Sequence, residues 1–144
     1  MILVHGTCVD VAGTAVLLRG ASGSGKSDLA LRLIDEGARL IADDQVALAK
    51  VAGVLVAAAP PVIAGRIEAR GVGLVEVPAA AEARLGLVID LVAPAAVERL
   101  PQPAQTEIDG VALPRLALAP FEASATAKVR LAVRALRAGT LGTP

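Results

Sequence analysis

The chain has neither Trp nor Tyr, and its 144 residues include one each of Phe, Cys, His and Met. Each scarcity removes a class of function. With aromatics nearly absent, single-stranded nucleic acid has little to stack on. Fourteen basic side chains balance fourteen acidic ones, so there is no basic excess for a phosphate backbone either. One cysteine can form no internal disulfide, and one histidine beside it makes no structural metal cluster. A chain of this length needs neither, since a domain of its size buries about 70% of its extended-chain surface.

A long hydrophobic run is also missing, although 55% of residues are hydrophobic and mean hydropathy is +0.66. The longest uncharged stretch, Val51 to Gly65, holds Pro60-Pro61 and two glycines. It falls short of the ~20 apolar residues that span a bilayer. No basic segment precedes an apolar one at the N-terminus, so no signal peptide is expected. A single cytoplasmic domain over residues 1–144, with no membrane and no nucleic-acid partner, is the expectation.

What is present begins with short apolar runs. Ile2 to His5 and Cys8 to Val11 flank Gly6-Thr7 and read as a tight antiparallel pair. Thr14 to Arg19 is a third strand. From Lys26 to Glu36, Leu29, Ala30, Leu33 and Ile34 share one helical face, Asp28 and Arg32 are spaced as an i,i+4 pair, and Gly37 stops the helix. Further strands are expected at Arg39–Ala42, within Val46–Val56 turning at Gly53, at Ile67–Ala69, Leu74–Val77 and Gly86–Val92. Pro94, Pro101 and Pro103 predict a loop with at most one helical turn. Val111 to Leu118 reads as an extended piece interrupted by Pro114. From Ser124 the pattern is helical again, with Val129, Val133 and Leu136 on one face, Arg130, Arg134 and Arg137 on another, and Gly139 at the end. The order fits a strand-rich α/β domain.

Gly20-Ala21-Ser22-Gly23-Ser24-Gly25-Lys26-Ser27 matches G-x-x-x-x-G-K-[ST], between an apolar strand and an amphipathic helix. Such a loop curls its amides inward around phosphate oxygens, and the helix dipole adds positive potential there. Lys26 would reach the β- and γ-phosphates and Ser27 would ligate Mg²⁺. A chance match in a chain of this composition has a probability well under ~1%. A plain glycine turn between strand and helix is the alternative. A nucleoside triphosphate is therefore the expected ligand, with water, a small molecule or a protein hydroxyl open as acceptor.

Transfer to a hydroxyl needs a carboxylate near the acceptor. Asp43 and Asp44 follow the strand after the loop helix and would end beside the loop if that strand runs parallel. They either divide their roles around a metal or sit in an exposed turn, where Asp is common. Asp90, after a run of apolar residues in GLVID, is a competing acid, the weaker candidate because apolar residues resume at Leu91-Val92 as they do mid-strand. His5 could be a base, or a structural residue at a strand end. Cys8 reads as a small core residue. The arginine stripe reads as a solvated face, or as a dock for an acidic partner.

The succession His5-Gly6, strand, GASGSGKS, helix, LIADD and RIEARGVGL resembles the catalytic, C-terminal domain of HPr kinase/phosphorylase, most closely over Val4 to Leu74. The resemblance implies a phosphoenolpyruvate-carboxykinase-like P-loop fold, a strand-rich mixed sheet. It also implies a kinase that phosphorylates a serine of the phosphocarrier protein HPr in the phosphotransferase system. On it, Lys26 and the loop amides bind ATP, Ser27 and Glu68 hold Mg²⁺, and Asp44 is the general base, or the general acid in phosphorolysis. Asp43 supports Asp44, and His5 belongs to the catalytic set. Glu68 to Gly73 corresponds to the family's E-x-R-G-x-G signature, and Arg99 in VERL to an arginine that stabilises the transferring phosphoryl group.

Two departures stand out. The usual family member has an additional N-terminal domain, whereas this chain resembles truncated proteobacterial forms. Where the family has a P-x-x-P-G-R-N-like segment, this chain reads LALAPFEASATAK, so the resemblance does not extend to phosphorylase activity or hexamer formation. A homo-oligomer stays open. Two other readings remain: a nucleotide-sensing regulatory module without transfer, and a small-molecule P-loop kinase.

Overall fold

The computed structural model describes residues 1–141. Eleven strands, β1 (Ile2–His5), β2 (Thr7–Val11), β3 (Thr14–Arg19), β4 (Arg39–Ala42), β5 (Gln45–Val51), β6 (Val54–Ala58), β7 (Arg66–Ala69), β8 (Gly73–Glu76), β9 (Glu82–Leu91), β10 (Ala104–Ile108) and β11 (Val111–Leu118), accompany two α-helices. The helices are α1 (Lys26–Asp35) and α2 (Ala125–Arg137). The architecture is a strand-rich mixed sheet with few helices.

The main sheet runs β1-β5-β6-β9-β3-β2-β4, with β10 and β11 attached beside β9. Strand β9 organises it, because it is long enough to fork. Its first half pairs with β6 antiparallel, its second half pairs with β11 parallel, and its other edge pairs with β3 parallel. Burial on both faces makes β3 and β9 continuously apolar rather than alternating. Val16 and Leu18 join one core cluster with Leu29, Leu33, Ile89 and Val129, while Leu17 and Val88 join another with Cys8, Ile41, Leu48 and Leu55. Full burial of side chains such as Leu29 and Leu33 contributes roughly 1.5–3 kcal/mol each.

The expected apolar face of α1 is the buried one, and Asp28 and Arg32 form the i,i+4 pair at 3.0 Å. Both helices close as the glycines predict. Gly37 and Ala38 donate back to Ile34 and Leu33, and Gly139 and Thr140 donate to Leu136 and Ala135, the reversed bonds of a Schellman motif. Of the arginine stripe on α2, Arg130 pairs with Glu36 at 2.6 Å and Arg137 donates to Thr14, so part of it ties α2 to the rest of the fold.

Three local expectations need correction. First, β1 and β2 are not partners: β1 pairs with β5 and β2 pairs with β3 and β4. A single residue, Gly6, separates β1 from β2, too few for a hairpin loop. The chain bends there from one ladder into the next, facing the Asp43-Asp44 bend between β4 and β5, and Gly6 N–H donates to the Asp44 carbonyl at 3.1 Å. Second, the segment after the prolines contains β10. Its signal was Asp109-Gly110, both at positive φ (49° and 76°), the hairpin turn joining β10 to β11. Third, Pro114 does not interrupt β11, because the parallel ladder with β9 begins only at Arg115.

Among the described residues no helix is long and apolar enough to cross a membrane.

Candidate functional site

The glycine-rich loop from Gly20 to Ser27, which carries the phosphate-loop pattern, leaves the C-terminal end of β3. Since β2 is antiparallel to both β3 and β4, β3 and β4 run parallel and end at the same edge of the sheet. The loop after β3, the Asp43-Asp44 bend after β4 and the first residue of β2, Thr7, therefore converge. This is the convergence expected from the strand following the loop helix, reached with an antiparallel strand inserted between.

Within the loop, Gly25 caps α1 at φ 102°, a conformation that L-residues with a side chain rarely adopt. Lys26 is buried at 7% exposure and its Nζ donates to the Gly20 and Ala21 carbonyls at 2.8 and 2.9 Å. That ammonium is held over the mouth of the loop by its first two residues. Ser24 Oγ is buried without a hydrogen-bond partner, and a Cβ on Gly20 would lie 2.4 Å from it. A buried hydroxyl left unsatisfied in a glycine-lined curl is a donor that fits an anionic oxygen. Gly23 and Ser22 complete the curl on its outer side.

Asp43 is the hub beside the loop. Its Oδ1 accepts from Ser27 Oγ at 2.8 Å and from Thr7 Oγ1 at 2.9 Å, and its Oδ2 accepts from the Glu68 backbone N–H at 3.4 Å. Thr7 is fully buried, and its hydroxyl orients the carboxylate from behind. No sequence motif marked Thr7; its only signal was a polar residue just before the apolar pair Cys8-Val9. Asp44 turns the other way, 77% exposed, with its Oδ1 3.5 Å from His5 Nδ1. The left-handed φ of 71° at Asp44 separates the two neighbours, so one carboxylate faces the loop and the other faces solvent beside the imidazole.

A hydroxyl and a carboxylate in contact at a helix start are hard oxygen donors. They suit Mg²⁺, which takes one or two protein groups and fills its remaining positions with phosphate and water. Ser27 and Asp43 meet that requirement. Glu68 lies on the exposed side of β7, its backbone at Asp43 and its carboxylate without a hydrogen bond. Among the described residues no group of three or more His, Cys, Asp and Glu is disposed to hold a metal.

Asp90 is not part of this cluster. Arg19 donates to its two oxygens at 2.7 and 3.0 Å and Arg115 adds a third bond at 2.7 Å. Burial by itself would raise this carboxyl, but the hydrogen bonds and charges of Arg19 and Arg115 outweigh it and hold the group below the usual carboxylate range. A carboxylate so engaged is a strut between β3, β9 and β11. Arg99 stands on the exposed segment between β9 and β10 without a hydrogen bond or ion pair. Because β9 is parallel to β3, that segment leaves from the same sheet edge as the phosphate loop. Cys8 is fully buried, and burial pushes its thiol up, with Asp10 adding to the effect.

The family model for the HPr serine kinase C-terminal domain matches residues 1–138. An HPr kinase/phosphorylase of Clostridium acetobutylicum is 46% identical over 76 residues, which are 53% of this chain and 25% of that relative. One from Clostridium tetani is 47% identical over 75 residues, 52% of this chain and 25% of the relative. The chain thus spans about a quarter of the length of the curated relatives it matches. A solved structure described as an Hpr(Ser) kinase/phosphatase from Coxiella burnetii superposes with a TM-score of 0.86 at 26% identity, covering 96% of this chain and 92% of that one.

Proposed function

The chain belongs to the HPr serine kinase C-terminal domain family, and from that premise we propose that it is an ATP- and Mg²⁺-dependent protein-serine kinase whose acceptor is HPr. The observation that carries this reading is the division of two adjacent acids: Asp43 bonded to Ser27 at the phosphate loop, and Asp44 turned out toward His5. A pure nucleotide sensor has no need of a second, exposed carboxylate beside the loop, whereas proton removal from an acceptor hydroxyl does.

In this mechanism the loop amides from Gly20 to Ser27 and the Lys26 ammonium hold the triphosphate and neutralise charge as it moves to the leaving oxygen. Mg²⁺, held by Ser27 with Asp43 and Glu68 beside it, would supply further neutralisation of the phosphate oxygens. Asp44 accepts the proton of the acceptor serine as its oxygen bonds to phosphorus, and the bond to the leaving phosphate oxygen breaks. His5 Nδ1 keeps Asp44 aimed. Arg99 is assigned to the transferring phosphoryl group, a contact its exposed segment would make on closing over the site. In phosphorolysis the same Asp44 would return a proton to the serine. The single domain over residues 1–144, cytoplasmic residence and assembly with further copies belong to this same reading.

The test is transfer of labelled γ-phosphate from ATP to HPr by the purified chain. Wild type is expected to label HPr. Asp44→Asn should reduce transfer by about 10²–10⁴-fold, the worth of a general base, while ATP binding persists. Transfer unaffected by that change would remove Asp44 from the reaction, and wild type that binds ATP without labelling HPr would favour a sensor.

A further inference from the structure

Phe121, the only Phe, Tyr or Trp of the chain, is 70% exposed. It stands three residues beyond the end of β11. Strands β11, β9 and β3 are mutually parallel, so the segment leaving β11 emerges at the same sheet edge as the phosphate loop leaving β3. The two meet: a Cβ on Gly25 would lie 2.8 Å from Phe121 Cζ and 3.2 Å from Pro120 Cγ. The tip of the ring thus touches the residue that begins α1 while most of the ring stays in solvent.

The segment is held there. Arg32, one turn beyond Asp28 on α1 and paired with it at 3.0 Å, donates through Nη2 to the Pro120 carbonyl. Lys128 holds Glu122 at 3.0 Å on the other side. Beside the ring opens a shallow cleft of about 470 Å³ bordered by Arg32 and by the carboxylates of Asp28, Asp35, Glu36 and Glu122, a volume within the ~300–1,000 Å³ of small-molecule sites.

We infer that Phe121 is the stacking platform for the base of the bound nucleotide, and that the cleft between α1 and the β11–α2 connection receives the nucleoside. This rests on the reading that the loop from Gly20 to Ser27 holds a nucleoside triphosphate. Phosphates seated at the start of α1 leave the nucleoside to extend along the adjoining surface, and the ring at Gly25, the chain's one Phe, Tyr or Trp side chain, stands beside that surface. Stacking on it tolerates any base, because it reads the face rather than the hydrogen-bonding edge.

The test compares MgATP with Mg-tripolyphosphate, which carries the phosphates without a nucleoside. Calorimetric affinities would be measured for wild type, Phe121→Ala and Phe121→Trp. Phe121→Ala should weaken ATP about ten-fold or more, as loss of a stacked base does, and leave tripolyphosphate affinity as in wild type. Phe121→Trp introduces the sole indole, whose fluorescence ATP should quench and tripolyphosphate should not. Equal ATP affinity in Phe121→Ala, or equal loss of both ligands, would overturn the inference, the second outcome meaning that the ring only packs against Gly25. Wild type that binds tripolyphosphate and ATP equally would overturn it as well. Wild type that binds neither ligand defeats the nucleotide reading itself, a failure visible before any variant is made.

Discussion

Ser27 and Asp43, sixteen residues apart, share a 2.8 Å hydrogen bond between the first turn of α1 and the end of β4. This bond joins the loop from Gly20 to Ser27 to the acids. It also relies on Thr7, whose buried hydroxyl holds the same carboxylate oxygen at 2.9 Å. Asp43 is thereby aimed at the loop before any ligand arrives.

Thr7→Val keeps the shape of the side chain and removes that donor. Residues that orient a metal-binding group from behind are typically worth ~10–100-fold in metal affinity. The half-saturating Mg²⁺ concentration for phosphotransfer should therefore rise by about ten-fold, with ATP-dependent transfer recovering at high Mg²⁺. A Mg²⁺ titration with the same midpoint as wild type would show that Ser27 alone suffices to position Asp43.

Asp90 links Arg19 and Arg115, and replacing it leaves two guanidiniums facing each other. Charge-assisted hydrogen bonds are worth ~1.5–3 kcal/mol each when shielded. With all three groups partly exposed, Asp90→Asn should cost about 1–2 kcal/mol in urea unfolding after discounting for solvent screening. The pH dependence has a definite sign. The folded carboxyl titrates below its unfolded value, so this stabilisation is complete above the unfolded value of about 3.9 and fades as pH falls through the lower folded one. Wild type should lose its advantage over Asp90→Asn only below about pH 4. An advantage that faded between neutral pH and pH 5 would point to another group.

Ala52 occupies a left-handed φ of 52° at the tip of the β5–β6 hairpin, followed by Gly53. Alanine is strained there, whereas Asn-Gly is the favoured pair for such turns. Ala52→Asn should stabilise the fold by roughly 0.5–1 kcal/mol, part of the ~1–2 kcal/mol that the left-handed conformation costs an L-residue. Thermal unfolding would register this as a rise of about 2–4 °C for a chain of this size. No rise would mean that the turn relaxes in solution.

Cys8 lies at the start of β2 against Leu17 and Ala42 in the ladder register. Burial raises its thiol far above the ordinary value, so the reactive thiolate is scarce and inaccessible. An aromatic disulfide reagent should label it only at the rate of unfolding, and stoichiometrically in denaturant. Fast labelling of native protein would contradict the packing of β2.

Much of the site was legible in the chain itself. The loop from Gly20 to Ser27, the helix face of Leu29 and Leu33, and its end at Gly37 all depend on residues within a few positions of one another. Such local backbone geometry follows from local composition. The strand ending at Asp43-Asp44 was equally readable. What was not readable is which acid faces which way: nothing in two adjacent aspartates distinguishes the partner of Ser27 from the partner of His5. Strand pairing was the weakest reading. Apolar runs at Ile2–His5 and Cys8–Val11 are compatible with a hairpin, and only competition from β5 and β4 for those edges shows that Gly6 is a bend.

The amino-acid order alone was sufficient for a glycine-rich curl followed by an amphipathic helix, because both are built from bonds spanning six residues or fewer. Tertiary structure decided the rest. It placed Thr7 behind Asp43 across 36 positions, neutralised Asp90 with Arg19 from 71 positions away, and set Phe121 against Gly25. Such contacts depend on the order and direction of strands in the sheet, which is settled by how all the apolar faces are buried at once and not by the periodicity of any one segment.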